Sequence, residues 1–85
     1  MSTMPDPIPM WTIRSPEDLG RALAGVRRLR GVSQNDLAEL LDVHRSYIAE
    51  LETGQSVLML ERLLRAFRRL GAEVEITLPG DRDGG

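Results

Sequence analysis

Cysteine and lysine are absent, and histidine occurs once, as His44. No disulfide framework can form, and a single histidine without cysteine cannot assemble a zinc site within one chain. Aromatic residues are reduced to Trp11, Tyr47 and Phe67, so the core must be aliphatic and mostly leucine. No apolar run approaches the roughly 20 residues of a membrane-spanning helix. The N-terminus lacks a basic-then-apolar leader pattern. No nucleophile, base and oxyanion donors fall together, so neither an enzyme nor a bound cofactor or metal is expected. A cytoplasmic location is the expectation from these absences.

What is present is one small domain's worth of chain, 85 residues that are 41% hydrophobic, with a net charge of −2. The charge is unevenly laid out. Residues 1–30 hold five arginines against three acids, residues 31–56 one arginine against five acids, residues 57–71 four arginines against one acid, and residues 72–85 one arginine against four acids. All eleven basic residues are arginine. Arginine makes forked contacts with phosphate or guanine that lysine cannot.

Residues 1–14 read as a flexible arm with a possible short strand at MWTIR (10–14). Ser15-Pro16-Glu17-Asp18 is a helix start, with a serine cap, a proline at the first helical position and two acids at the positive end of the dipole. Leu19, Ala22, Leu23, Val26 and Leu29 then follow a spacing of three and four, which predicts a helix over 16–30 closed by Gly31. Ser33 caps a second helix over 34–41, with Leu37, Leu40 and Leu41 as its inner face. Asp42-Val43 breaks the pattern, and a third helix over about 44–52 buries Ile48 and Leu51 before Thr53-Gly54 stops it. Leu60, Leu63, Leu64, Phe67 and Leu70 mark a fourth helix, for which Ser56 is the nearest good cap. Residues 72–78 then alternate apolar and polar, the signature of a strand. Residues 79–85 read as a disordered tail.

Two short helices joined by a tight break over 33–52 have the spacing of a helix-turn-helix. The residues Ser33-Gln34, Leu37-Ala38, Leu41, Val43, Arg45-Ser46-Tyr47-Ile48, Leu51-Glu52 and Gly54 resemble the Xre and lambda-repressor-like family, over about residues 16–70. Asp42 stands where that family often has glycine, and aspartate tolerates a positive φ better than most residues. Leu58-Met59 replaces the family's proline-serine start to the next helix. The resemblance implies a mainly α, four-helix lambda-repressor-like domain over 15–78 that binds double-stranded DNA.

By the same resemblance the third helix enters the major groove. Arg45, Ser46 and Glu50 fall at base-reading positions, while Gln34, His44 and Tyr47 fall where backbone contacts are made. The chemistry is compatible: Arg45 can fork onto guanine, and Glu50 can accept from the amino group of cytosine. For Gln34, His44 and Tyr47 a local cap or partial packing is the alternative use, and for Glu50 a solvated acid. The acids at 36, 39 and 52 can face away from DNA. Phosphate charge must then be met by Arg27, Arg28 and Arg30, and by the stripe Arg62, Arg65 and Arg69. For the first three, stabilising the end of their own helix is an equal alternative.

A lone strand leaves its ladder groups unpaired. Strand 72–78 is expected to pair with its twofold mate, with Val74, Ile76 and Leu78 as dimerisation residues; Trp11–Arg14 of the same chain is the other candidate. A helix-turn-helix core followed at once by a strand resembles HipB-type antitoxins. That resemblance implies a nucleoid-associated homodimer that binds a pseudo-palindromic operator, represses its own operon and holds a HipA-type kinase toxin. Two alternatives stay open: a stand-alone phage-type or restriction-modification controller, and a protein-interaction module that has lost DNA.

Overall fold

The computed structural model describes residues 8–55 and 57–80. The chain runs β1 (Met10–Ile13), α1 (Pro16–Leu29), α2 (Gln34–Leu41), α3 (Arg45–Thr53), α4 (Leu58–Arg69) and β2 (Val74–Thr77). No described helix is long and apolar enough to cross a membrane.

Helix α1 begins as its sequence dictates. The Ser15 hydroxyl accepts from the Asp18 N–H at 3.2 Å, and the Asp18 carboxylate accepts from the Arg14 N–H at 2.9 Å. The Arg14 hydrogen bond is the main reason the Asp18 carboxyl sits below its usual pKa, with Arg21 adding to it. Helices α1, α2 and α4 close in the same way. An N–H just past each helix reaches back over five residues: Val32 to Arg27, Val43 to Ala38 and Ala72 to Phe67. That closure needs one left-handed residue. Gly31 and Gly71 supply it at φ 70° and 80°, and Asp42 supplies it at φ 59° as the one non-glycine with positive φ among the described residues.

Strands β1 and β2 form a two-stranded antiparallel sheet, with Trp11 opposite Ile76 and Ile13 opposite Val74. This corrects two expectations. The possible short strand at 10–14 is present as β1, and it belongs to the sheet and not to an arm. The partner of β2 is β1 of the same chain, in place of a twofold mate. The reason is that MWTI carries the matching alternation: Trp11 and Ile13 share a face, as do Val74 and Ile76, so pairing in this register puts four apolar side chains on one side. That side lies on α1 and α4, in a cluster of Ile13, Ala22 and Leu64 joined by Trp11, Leu19, Leu60, Val74 and Ile76. Val74 and Ile76 are therefore core residues of their own chain, and Leu78, half-buried, donates its N–H to the Pro9 carbonyl at 3.0 Å.

The helical core is narrower than the leucine pattern implies. Ala22, Ala24, Ala38 and Ile48 are buried, whereas Leu40 and Leu41, expected on the inner face of α2, are 74% and 54% exposed. An eight-residue helix meets its neighbours along one short stripe. Leu37 and Ala38 occupy that stripe, and Leu40 and Leu41 fall beside it. Helix α4 begins at Leu58 without a side-chain cap. The Ser56 cap expected there lies outside the described residues.

Candidate nucleic-acid interface

The unit formed by α2, the Asp42 turn and α3 is built from the turn outward. Ser33 and Asp36 cap α2 reciprocally: the Ser33 hydroxyl accepts from the Asp36 N–H at 3.0 Å, and the Asp36 carboxylate accepts from the Ser33 N–H at 3.1 Å. Asp42 turns the chain, and α3 starts from an extended His44 whose side chain makes no capping bond. Ile48, with no exposed surface, fixes α3 from behind.

The far end of α3 is fixed by backbone contact. A Cβ on Gly20 of α1 would stand 2.5 Å from the Glu52 carbonyl oxygen and 2.6 Å from the Gly54 nitrogen. One on Gly54, already at φ 71°, would stand 2.5 Å from the Pro16 carbonyl oxygen. Glycine at both positions lets α1 and the end of α3 touch without side chains between them. Gly54 reads as a helix stop in sequence; its second role shows only once α1 is in place.

With α3 held at both ends, its outer surface is set. Arg45, Ser46, Tyr47 and Glu50 are all exposed, and the Thr53 hydroxyl donates to the Glu50 carbonyl at 2.7 Å. At 100° per residue, Ser46, Glu50 and Thr53 form the outermost row, with Arg45 on the flank toward α2 and Tyr47 on the other. Ser46 and Glu50 thus share the outward face, with Arg45 exposed on its α2 flank and Tyr47 bordering it on the other side.

The cationic candidates behave differently from one another. Arg27 turns inward: its Nε and Nη2 donate to the two carboxylate oxygens of Glu52 at 2.5 and 3.1 Å, and its Nη1 donates to the Val32 carbonyl at 2.9 Å. The side chains of this pair are 11% and 8% exposed, so Arg27 is engaged inside the domain. Arg30 reaches the chain just past β2, donating to the Pro79 and Gly80 carbonyls at 2.9 and 3.4 Å. Arg28 is exposed and makes no side-chain hydrogen bond among the described residues. Arg62, Arg65 and Arg69 are exposed on α4, while Arg68 donates to the Arg14 carbonyl.

Glu52 is the residue that sequence reasoning places only in part. It does face away from the outer side of α3, as expected, but it lies inside against Arg27, a partner the sequence did not name. Its signal is spacing: Glu52 follows the buried Ile48 by four residues, so it shares the inner face, and an acid there demands a cation. The Arg27 hydrogen bonds hold its carboxyl below the usual value of 4.5, and a hydrogen bond from Gln34 adds to the shift. Burial pushes the other way and loses.

Gln34 completes the arrangement. Its Nε2 donates to Glu52 at 3.0 Å, and its Oε1 accepts from Arg45 Nη1 at 3.0 Å. The inside pairing also relieves the acidity of this stretch. Glu52 is matched by Arg27, and Asp36 by the start of α2, so Glu39, Asp42 and Glu50 are the exposed acids that remain between residues 33 and 54. Among the described residues no group of three or more histidines, cysteines or acids is placed to hold a metal.

Comparison with known proteins converges on the same stretch. A family model described as helix-turn-helix matches residues 23–76. Over 70 residues the chain is 30% identical to an uncharacterized HTH-type transcriptional regulator, y4mF, of Sinorhizobium fredii (strain NBRC 101917 / NGR234), covering 82% of this chain and 92% of that protein. No solved structure matches the chain significantly.

Proposed function

Because the chain belongs to the helix-turn-helix family, we propose that it is a sequence-specific transcriptional repressor that lays α3 in the major groove. The observation that carries this reading is the exposed face of Arg45, Ser46 and Glu50 on a helix fixed from behind by Ile48 and at its end by Gly54. Readout by hydrogen bonds needs side chains placed to a fraction of an ångström, and such placement needs a helix that cannot rock. Gln34, His44, Tyr47 and Arg28 then contact the DNA backbone, and the reading assigns the chain no catalytic step. A binding assay on the DNA upstream of its own gene tests this. Arg45→Ala should cost about 1–3 kcal/mol on the selected site and relax choice at one base pair per half-site. Equal loss on random DNA would reduce Arg45 to a phosphate contact. Failure of the wild-type protein to prefer any sequence would favour a protein-interaction module.

The reading includes a homodimer, because one chain offers few free cations and two recognition helices about 34–36 Å apart would match one turn of DNA. Since β2 is paired within its chain, α4 is the element to join the copies. Met59, Leu63, Ala66 and Leu70 are all exposed there, at intervals of four, three and four residues. That is the spacing of a helix–helix seam. Met59 and Leu70 are 77% and 82% exposed, more than a monomeric domain ordinarily leaves in one stripe. The narrower reading, an antitoxin that represses its own operon and holds a HipA-type kinase toxin, draws its support from the order of a helix-turn-helix core followed by a strand. Co-purification with the product of a neighbouring gene separates it from a stand-alone repressor.

A further inference from the structure

Four side chains from three helices form one continuous line: Arg27 on α1, Glu52 on α3, Gln34 at the start of α2, and Arg45 at the start of α3. We infer that Glu52 is a positioning residue for base readout, acting through the Gln34 amide to hold the Arg45 guanidinium in place. The inference rests on the DNA-binding reading above.

The chemistry allows only one arrangement of the line. An ionised carboxylate accepts and never donates, and a guanidinium donates and never accepts. Gln34 sits between the two. Its NH2 must face Glu52, which leaves its carbonyl oxygen to face Arg45. An amide that is ambiguous in isolation is thereby fixed in one orientation. Glu52 is itself fixed, since Arg27 engages both of its oxygens and Ile48 anchors the same helix face one turn away.

The outcome concerns an exposed side chain. Arg45 is exposed at the first turn of α3, and without the Gln34 bond it would lose its rotamer freedom only on meeting a base. The bond to Gln34 occupies one of its five N–H groups and leaves others for the two acceptors of guanine. Preference at that base pair is then set from inside the domain, by a residue that touches no DNA.

The test is site selection from a random duplex library by wild type, Glu52→Gln, Arg27→Met and Gln34→Met. Arg27 Nε makes the shorter of the two bonds, to Oε2; a glutamine at 52 that keeps its oxygen there puts its NH2 at the Oε1 position to which Gln34 donates. The Gln34 amide must flip and present donors to Arg45, and Arg45 is released. Glu52→Gln should lose about tenfold in preference at one base pair per half-site, with other positions retained. Arg27→Met keeps a carboxylate facing Gln34 but removes the ion pair that fixes it; it should lower thermal stability and weaken the preference less than Glu52→Gln does. Gln34→Met removes the middle link with the ion pair intact and should repeat the loss, which covers the case in which Glu52→Gln does not fold. The inference is overturned if Glu52→Gln or Gln34→Met selects as wild type does. Side-chain 15N relaxation of Arg45 in the DNA-free protein separates this from the DNA reading itself. A wild type that selects no sequence overturns that reading alone, while unchanged Arg45 mobility in Glu52→Gln overturns the line of contacts.

Discussion

Helices α3 and α4 are built to opposite plans. Helix α3 is the shorter, nine residues against twelve, yet it is fixed by a fully buried isoleucine, a backbone contact through Gly20 and Gly54, and an ion pair to α1. Helix α4 has the stronger apolar pattern, yet Leu64 is its one buried residue, and Leu58, Met59, Leu63 and Leu70 are all more than half exposed. Apolar content therefore does not measure how firmly a helix is held. The weakly apolar helix is the firmly held one, because its fixings are specific contacts, and the helix with the stronger apolar stripe leaves much of that stripe exposed.

The largest effect should come from undoing the fixing of α3. Gly54→Ala adds a left-handed penalty of about 1–2 kcal/mol to an overpacking cost of about 1–3 kcal/mol. Chemical denaturation should show the sum, and a loss below about 1 kcal/mol would mean that α1 and α3 are not in backbone contact. The ion pair is next, and it is sensitive to acid. The Glu52 carboxyl is held below its ordinary 4.5, so its contribution is complete above that value and disappears as pH falls through the lower folded value. Glu52→Gln should flatten the acid side of a curve of melting temperature against pH. An unchanged acid side would place the carboxylate in solvent.

On α4 the expectation reverses. Leu63→Glu should change monomer stability by within about 0.5 kcal/mol, since the side chain is already half exposed. It should nevertheless abolish a dimer in sedimentation and weaken binding to paired half-sites. A Leu63→Glu protein that still sediments as a dimer would move the interface elsewhere. The smallest effect belongs to the turn: Asp42→Gly should stabilise by a few tenths of a kcal/mol, relief of the left-handed aspartate being partly offset by glycine's extra chain entropy.

The parts legible in the sequence are those decided by neighbours in the chain. The start of α1 at Pro16, the limits of α2 at Gln34 and Leu41, and the left-handed turn at Asp42 all follow from caps and turn residues within a few positions. The exposed face of Arg45, Ser46 and Glu50 follows from helical period once α3 is located. What could not be read depends on contacts between distant residues. Strand β2 had two possible partners, and alternation alone does not rank them. Spacing from Ile48 puts Glu52 on the inner face, but its partner Arg27 cannot be named until α1 is brought to it. Leu40 and Leu41 look like core until α2 proves too short and too sparsely covered to bury them.

The β1–β2 sheet has a consequence for how the chain reaches its fold. It joins the first and last regular elements, Met10 opposite Thr77, so its hydrogen bonds close the longest loop in the domain. Such a contact adds sequence separation without adding speed, and it forms late, after local helices have drawn its ends together. A nascent chain whose residues 74–77 are still inside the ribosome can already form α1 to α3 with their local caps, but it must leave Ile13 uncovered. In a refolding experiment the helix signal should therefore recover before the fluorescence of Trp11, which sits opposite Ile76 and reports the closing of the sheet.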